Sequence, residues 1–226
     1  TYWDAFYRNG NAAVDLLRPE AAIACYRRAL ECELKPNEKA PILTNLAWKL
    51  HELGRFDEAV DLLNEAMTLA PHLALPHIHT ASIMTALGAT ATAVRHARKA
   101  HEMFPDDPLG EFALAFALLF DRQFAKGFKA FEARFPHRLP QFMHYPYPKW
   151  KGEKGKTVFL VADQGLGDTL SFARFVPQVA ERAGYVHACV QQELMRTFRY
   201  AFRKFDNINW LPQPCNFPPA DAWTTF

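Results

Sequence analysis

Gly54 and Gly88 stand 34 residues apart, and the same interval links Phe56 to Thr90, Ala59 to Ala93, Ala66 to Ala100 and Pro71 to Pro105. A fixed interval in this range marks one supersecondary unit copied along the chain. An earlier unit aligns Ala22, Tyr26 and Ala29 with Ala59, Leu63 and Ala66 at an interval of 37, so three extra residues fall around Leu34 to Lys39. A later unit puts Phe124, Phe131 and Arg134 in the matching columns.

Each unit reads as a helix hairpin. Leu43, Leu46 and Leu50 recur at helical spacing and form one apolar stripe. Gly54 and Arg55 turn the chain, and Ala59, Leu63 and Ala66 form the stripe of a second helix. Small Ala in two of those columns allows close helix approach. Pro71 ends the unit, because proline cannot continue a helix interior. Neither helix buries its stripe alone, so units stack.

On Ala47, Gly54, Phe56, Ala59, Ala66 and Pro71 this pattern resembles the tetratricopeptide repeat family, over about four units in residues 1–135. The resemblance implies an α-solenoid that binds a protein or peptide in a concave groove. That groove is expected to include Thr44, Trp48, His51, Ile78, Ser82 and Thr85. The Lys, Asn and Arg set that clamps a peptide carboxylate is missing. So is a ladder of Asn: only Asn45 sits in its column. The last apolar helix, Phe112 to Phe120, is apolar on all sides and is expected to be covered on more than one face.

The charge balance shifts after the repeats. Residues 1–135 carry 15 basic and 17 acidic side chains, and residues 136–226 carry 11 and 7, for a formal net charge of +2 overall. Nothing in this balance calls for nucleic acid as a partner. The longest unbroken apolar stretch is nine residues, against the roughly 20 that a membrane-spanning helix needs. Cys25, Cys32, Cys189 and Cys215 contain no C-x-x-C pair and read as free thiols, which places the chain in a reducing, cytoplasmic compartment. His77 and His79, or His96 and His101, have poor ligand spacing on a helix, so no metal is expected. The chain begins at Thr1 rather than Met, as a processed product or a fragment does.

Residues 136–151 hold four prolines and read as a stiff connector, with Phe142, Tyr145, Tyr147 and Trp150 packed on a surface. From 152 to 226 the period changes. Strands are expected at Thr157 to Ala162, Tyr185 to Val190 and Ile208 to Leu211, with helices at 169–183 and at Glu193 to Phe205. This βαβαβ order is a Rossmann-like half domain with a short parallel sheet. The loop Asp163 to Asp168 follows the first strand and precedes a helix, where a ligand crevice forms. Gly165 and Gly167 let a ligand approach the backbone, and the helix start suits an anion. The third glycine of a dinucleotide fingerprint is replaced by Leu170, and the Walker A spacing is absent.

A wider string is more specific. Pro148-x-Trp150-x-Gly152-Glu153, Gly155-Lys156-Thr157, Gln164-Gly165-Leu166-Gly167-Asp168-Thr169 and Phe172-Ala173-Arg174-Phe175-Val176-Pro177 resemble bacterial tetratricopeptide proteins joined to a heptosyltransferase-like, family 9-like GT-B glycosyltransferase domain. Phe124, Gly127, Phe131, Glu132 and Arg134 resemble that family's final repeat. The resemblance implies Asp168 as general base, with Gln164, Gly165, Gly167, Thr169 and Arg174 forming an acceptor or anion loop. Asp163 stands where Glu is more usual. A GT-B enzyme has two such halves, and the second holds the nucleotide sugar. The 226 residues supply the acceptor side only, so no cofactor is expected on this chain, and sugar transfer requires another chain to complete the cleft. The alternative is a non-catalytic scaffold whose α/β part is a docking domain. Asp168 also suits a plain helix N-cap. Arg196, Arg199, Arg203 and Lys204 suit either a phosphorylated acceptor or a solvated basic face.

Overall fold

The computed structural model describes residues 2–132, 145–163 and 165–226. It comprises two compact units, Thr1–His137 and Arg138–Phe226. Arg134, Phe142 and Gln164 lie outside the described residues.

The first unit is four helix hairpins: α1 (Tyr2–Asp15) with α2 (Pro19–Leu30), α3 (Pro36–Glu52) with α4 (Phe56–Leu69), α5 (Leu75–Ala86) with α6 (Thr90–Met103), and α7 (Pro108–Phe120) with α8 (Phe124–Phe131). Proline opens several of these helices, at Pro19, Pro36, Pro76 and Pro108. Its missing N–H costs nothing in a first turn. Asp107 caps α7 by accepting from the Leu109 N–H at 3.1 Å. The three extra residues of the 37-residue interval extend α3, which runs 17 residues against 12 for α5.

Two columns of small residues set the helix spacing. Gly10, Ala47, Ala81 and Ala115 run through the first helices, and Ala22, Ala59, Ala93 and Gly127 through the second; all eight are buried. At Gly10 a methyl group would come within 2.5 Å of the Tyr26 ring. At Gly127 it would meet Leu119 at 2.8 Å. The degenerate first and last units therefore need glycine where the middle units manage with alanine. Thr90, a poor match to Phe56, has its own role: its hydroxyl donates to Asp121 Oδ1 at 2.7 Å, joining α6 to the end of α7. Along α7, Gly110, Ala115, Ala117 and Leu118 are buried, while Phe116 and Phe120 are exposed.

The second unit carries a four-stranded parallel sheet of order β3-β2-β1-β4, from β1 (Thr157–Val161), β2 (Tyr185–Val190), β3 (Ile208–Pro212) and β4 (Ala222–Thr225). The fourth strand was not expected from the sequence. It pairs with the free edge of β1, Val158 opposite Ala222 through Val161 opposite Thr225. The expected helix over 169–183 is instead α9 (Leu166–Phe172), a 3-10 turn and α10 (Val176–Arg182). Pro177 explains the break, since it lacks the N–H that would bond to Ala173. The second expected helix shortens to α11 (Met195–Ala201) behind a 3-10 turn at Gln192–Leu194.

Alternation along the strands separates two faces. Val158, Leu160, Val186, Ala188, Val190 and Trp210 point into a core shared with Ala173, Val176, Met195 and Phe198 from the helical segments. On the other face Phe159 is covered by Tyr145 and Phe217, with ring centroids 5.4 and 6.2 Å away. The end of the connector joins this unit through the sheet edge: Trp150 N donates to Trp223 O at 2.7 Å and Trp223 N to Pro148 O at 2.9 Å. No helix among the described residues is long and apolar enough to cross a membrane.

Candidate functional site

In the α/β unit a cavity of about 630 Å³ opens at the carboxyl ends of β1 and β2. Its walls come from Phe159 and Val161 of β1, Asp163 beyond it, Cys189 of β2, and Gln213, Cys215 and Phe217 of the segment between β3 and β4. Phe159, Val161 and Cys189 alternate along β1 and β2 with the core residues Val158, Leu160, Ala188 and Val190, and so lie on the opposite face of the sheet. Gln213 fixes the segment in place: its Nε2 donates to Ala162 O at 2.6 Å and its backbone N–H to Val190 O at 2.8 Å. Burial pushes the Tyr145 hydroxyl and the Cys189 thiol up from their usual ranges. It pulls Lys149 down, against the opposing pull of Asp163. The cavity is thus an apolar cleft with a few polar groups on its rim, suited to a small polar ligand with an apolar face.

The structure separates the residues of the expected loop. Gly165 is the N-cap of α9 in extended backbone, φ −68° and ψ 171°, so Asp168 is not the cap. Asp168 sits exposed in the first turn, where the helix dipole favours a carboxylate, and it does not line the cavity. Gly167 has open space around it. Thr169 is 1% exposed and structural: its hydroxyl donates to Gly165 O at 3.1 Å and accepts from Gln191 Nε2 at 3.1 Å. Arg174 is exposed, its guanidinium 4.9 Å above the Phe175 ring. The sequence places a ligand crevice at the carboxyl end of β1, where this cavity opens, but does not foresee the 213–217 wall. No local pattern signals that wall, since it follows from where β4 pairs.

In the solenoid unit a second cavity of about 410 Å³ is lined by Asn11, Asp15, Tyr26, Asn45, Trp48, Lys49, Leu75 and His79. Of the groove residues expected from the sequence, Trp48 lines it. Thr44 and Ile78 do not face a groove. Thr44 is 1% exposed with its hydroxyl on Ala40 O at 2.7 Å, and Ile78 is buried against Ala74 and Ala100. Ser82 and Thr85 turn their hydroxyls back to Ile78 O and Ala81 O. His51 is half-buried beside Trp48, with ring centroids 4.9 Å apart. The cavity lining is shifted by about one position from the expected face, onto Asn45, Lys49 and His79. Trp48 and His79 stack at 4.5 Å. Burial holds His79 down to about 4, against a bond to the Thr44 backbone. Lys49 is held by Glu52 at 2.8 Å. Tyr26 OH donates to Asn11 Oδ1 at 2.7 Å, and Asn45 Nδ2 donates to Tyr7 OH at 3.0 Å, which orients both amides at the rim.

A tetratricopeptide repeat family model matches residues 4–72. Residues 4–72 thus fold as tetratricopeptide-type helix hairpins. Protein FlbA of Caulobacter vibrioides is 27% identical over 188 residues, 78% of this chain and 32% of FlbA. Tetratricopeptide repeat protein 8 of Homo sapiens is 33% identical over 103 residues, 46% of this chain and 18% of that protein. The chain therefore spans about a third or less of the length of these curated relatives. Among solved structures, an O-GlcNAc transferase of Thermobaculum terrenum matches 95% of this chain and 42% of its own, at 18% identity and a TM-score of 0.55. MamA of Desulfovibrio magneticus matches 58% of this chain and 73% of its own, at 17% identity and a TM-score of 0.50. At these identities the structural likeness speaks for the fold alone.

Proposed function

We propose that the chain recruits a protein partner through its solenoid and carries one ligand-binding lobe of a two-lobed sugar-transfer protein. The observation that carries the recruiting role is the solenoid cavity. Its Asn11 and Asn45 amides can bond a peptide backbone, and its Trp48–His79 stack can pack an apolar side chain. Peptides selected from a random display library on the full chain, then measured by calorimetry, test it. Trp48→Ala is expected to weaken them at least tenfold with circular dichroism unchanged. Unaltered affinity would overturn the assignment of this groove.

The sugar-transfer reading rests on the heptosyltransferase-like string around Gly165 to Pro177 and not on the cleft, whose wall Asp168 does not join. In it Asp168 takes the proton of an acceptor hydroxyl. The freed oxygen attacks the anomeric carbon of a nucleotide sugar, and the nucleotide diphosphate leaves. The donor is held by a second lobe, supplied by further sequence or by another chain. With the complete gene product and a panel of nucleotide sugars, Asp168→Ala is expected to cut turnover about 100-fold or more and spare the melting temperature. Unchanged turnover removes Asp168 from the mechanism. No turnover or thermal shift with any nucleotide sugar favours the scaffold reading, with the α/β unit as a docking domain.

A further inference from the structure

We propose that Cys189 and Cys215 are a reversible disulfide site in the wall of the α/β cavity, closed by exchange with a low-molecular-weight disulfide. The two residues are 26 apart in sequence, and their sulfurs stand 2.7 Å apart. That is far inside ordinary non-bonded contact, and a disulfide bond of about 2.05 Å needs less than 1 Å of further approach. Both are free thiols in the structure.

The surroundings assign the two sulfurs different parts. Cys189 lies within the parallel ladder, opposite Val161 of β1 and Leu211 of β3, and is 2% exposed. Its backbone cannot move without breaking the sheet. Cys215 lies on the extended segment after β3, is half-buried and faces the cavity. Oxidant arriving through the cavity therefore meets Cys215 first. Burial raises the Cys189 thiol, which keeps it protonated and unreactive toward solvent until a disulfide forms beside it.

The chemistry balances as two thiol–disulfide exchanges. The Cys215 thiolate attacks one sulfur of oxidised glutathione, forming a mixed disulfide and releasing one glutathione thiolate. Cys189 gives its proton to solvent, attacks Cys215 Sγ and expels the second glutathione. The protein pair loses two electrons and two protons, and the small disulfide becomes two thiols. The product ties the 213–217 segment to β2 and removes both S–H groups from the cavity wall.

The test uses the full chain, reduced, desalted and treated with oxidised glutathione at about pH 8, where a free thiol is substantially ionised. After alkylation and tryptic digestion, peptides 183–196 and 205–226 are expected as one cross-linked species. Cys25 and Cys32, on other peptides, serve as internal controls. The oxidised chain is expected to melt about 5 °C or more above the reduced chain. Cys215→Ser is expected to melt like the reduced protein and to lose the shift. Cys215 recovered as a free thiol or as a stable glutathione adduct would overturn the proposal. So would a melting shift that survives in Cys215→Ser.

Discussion

Leu17 occupies in the first hairpin the same left-handed turn that Gly54 occupies in the second. Their φ angles are 56° and 75°. In each, the N–H bonds three residues back, Leu17 to Val14 O and Gly54 to His51 O, both at 2.9 Å. The following N–H bonds five back, Arg18 to Ala13 O and Arg55 to Leu50 O. Gly88 at 75° and Arg122 at 62° repeat the pattern in the third and fourth hairpins. All four first helices thus end in a Schellman motif, and only the middle two have the residue it favours.

Replacing the two misfits should stabilise the solenoid. Leu17 is 89% exposed, so Leu17→Gly gives up little packing. The left-handed conformation costs a side-chain-bearing residue about 1 kcal/mol, and glycine escapes most of that. Leu17→Gly and Arg122→Gly are each expected to add up to about 1 kcal/mol in urea unfolding. Gly54→Ala is expected to lose a similar amount from the backbone alone, since a methyl there meets nothing within 4 Å.

The small-residue columns should not tolerate bulk. Ala59 is fully buried at a helix crossing, packed in one cluster with Ala22 and Leu63. Ala59→Leu is expected to destabilise by about 1–3 kcal/mol or more, because the backbones must part to admit it. Ala59→Ser, of nearly equal volume, is expected to cost much less. Thermal unfolding of both variants checks the difference.

Solenoid stability should fall in acid because of His79. Its folded-state value of about 4 lies below the ordinary 6.5. Between those two values the unfolded chain binds a proton that the folded chain refuses, so stability is complete above 6.5 and declines as pH drops toward 4. The gap corresponds to at most about 3 kcal/mol. His51, His77 and His96 are also lowered by burial and add the same sign. His79→Gln is expected to flatten the slope over that interval in urea titrations at stepped pH.

Thr169 should matter through its hydroxyl alone. Thr169→Val removes the acceptor for Gln191 Nε2 and the donor to Gly165 O in a buried position. A loss of about 1–2 kcal/mol is expected, with faster amide exchange at the start of α9. Thr169→Ser keeps the hydroxyl and is expected to retain most of the stability.

The sequence by itself determined the repeat, the hairpin turns at Gly54 and Gly88, the alanine stripes and three of the four strands. These are written in residues a few positions apart, where helical or strand period decides which side is apolar. Tertiary structure decided the rest. The Ala222–Thr225 strand is too short to announce itself after a run of prolines, and it exists because β1 offers an unpaired edge. The solenoid cavity is lined by Asn45, Lys49 and His79 rather than by Thr44 and Ile78, because packing between hairpins fixes the rotation of each helix. Asp168 and Cys215 stand close to and far from β1 in the chain, yet only Cys215 reaches the cavity wall. Chain proximity sets which helix or strand a residue joins, whereas partners distant in sequence set which way its side chain is turned.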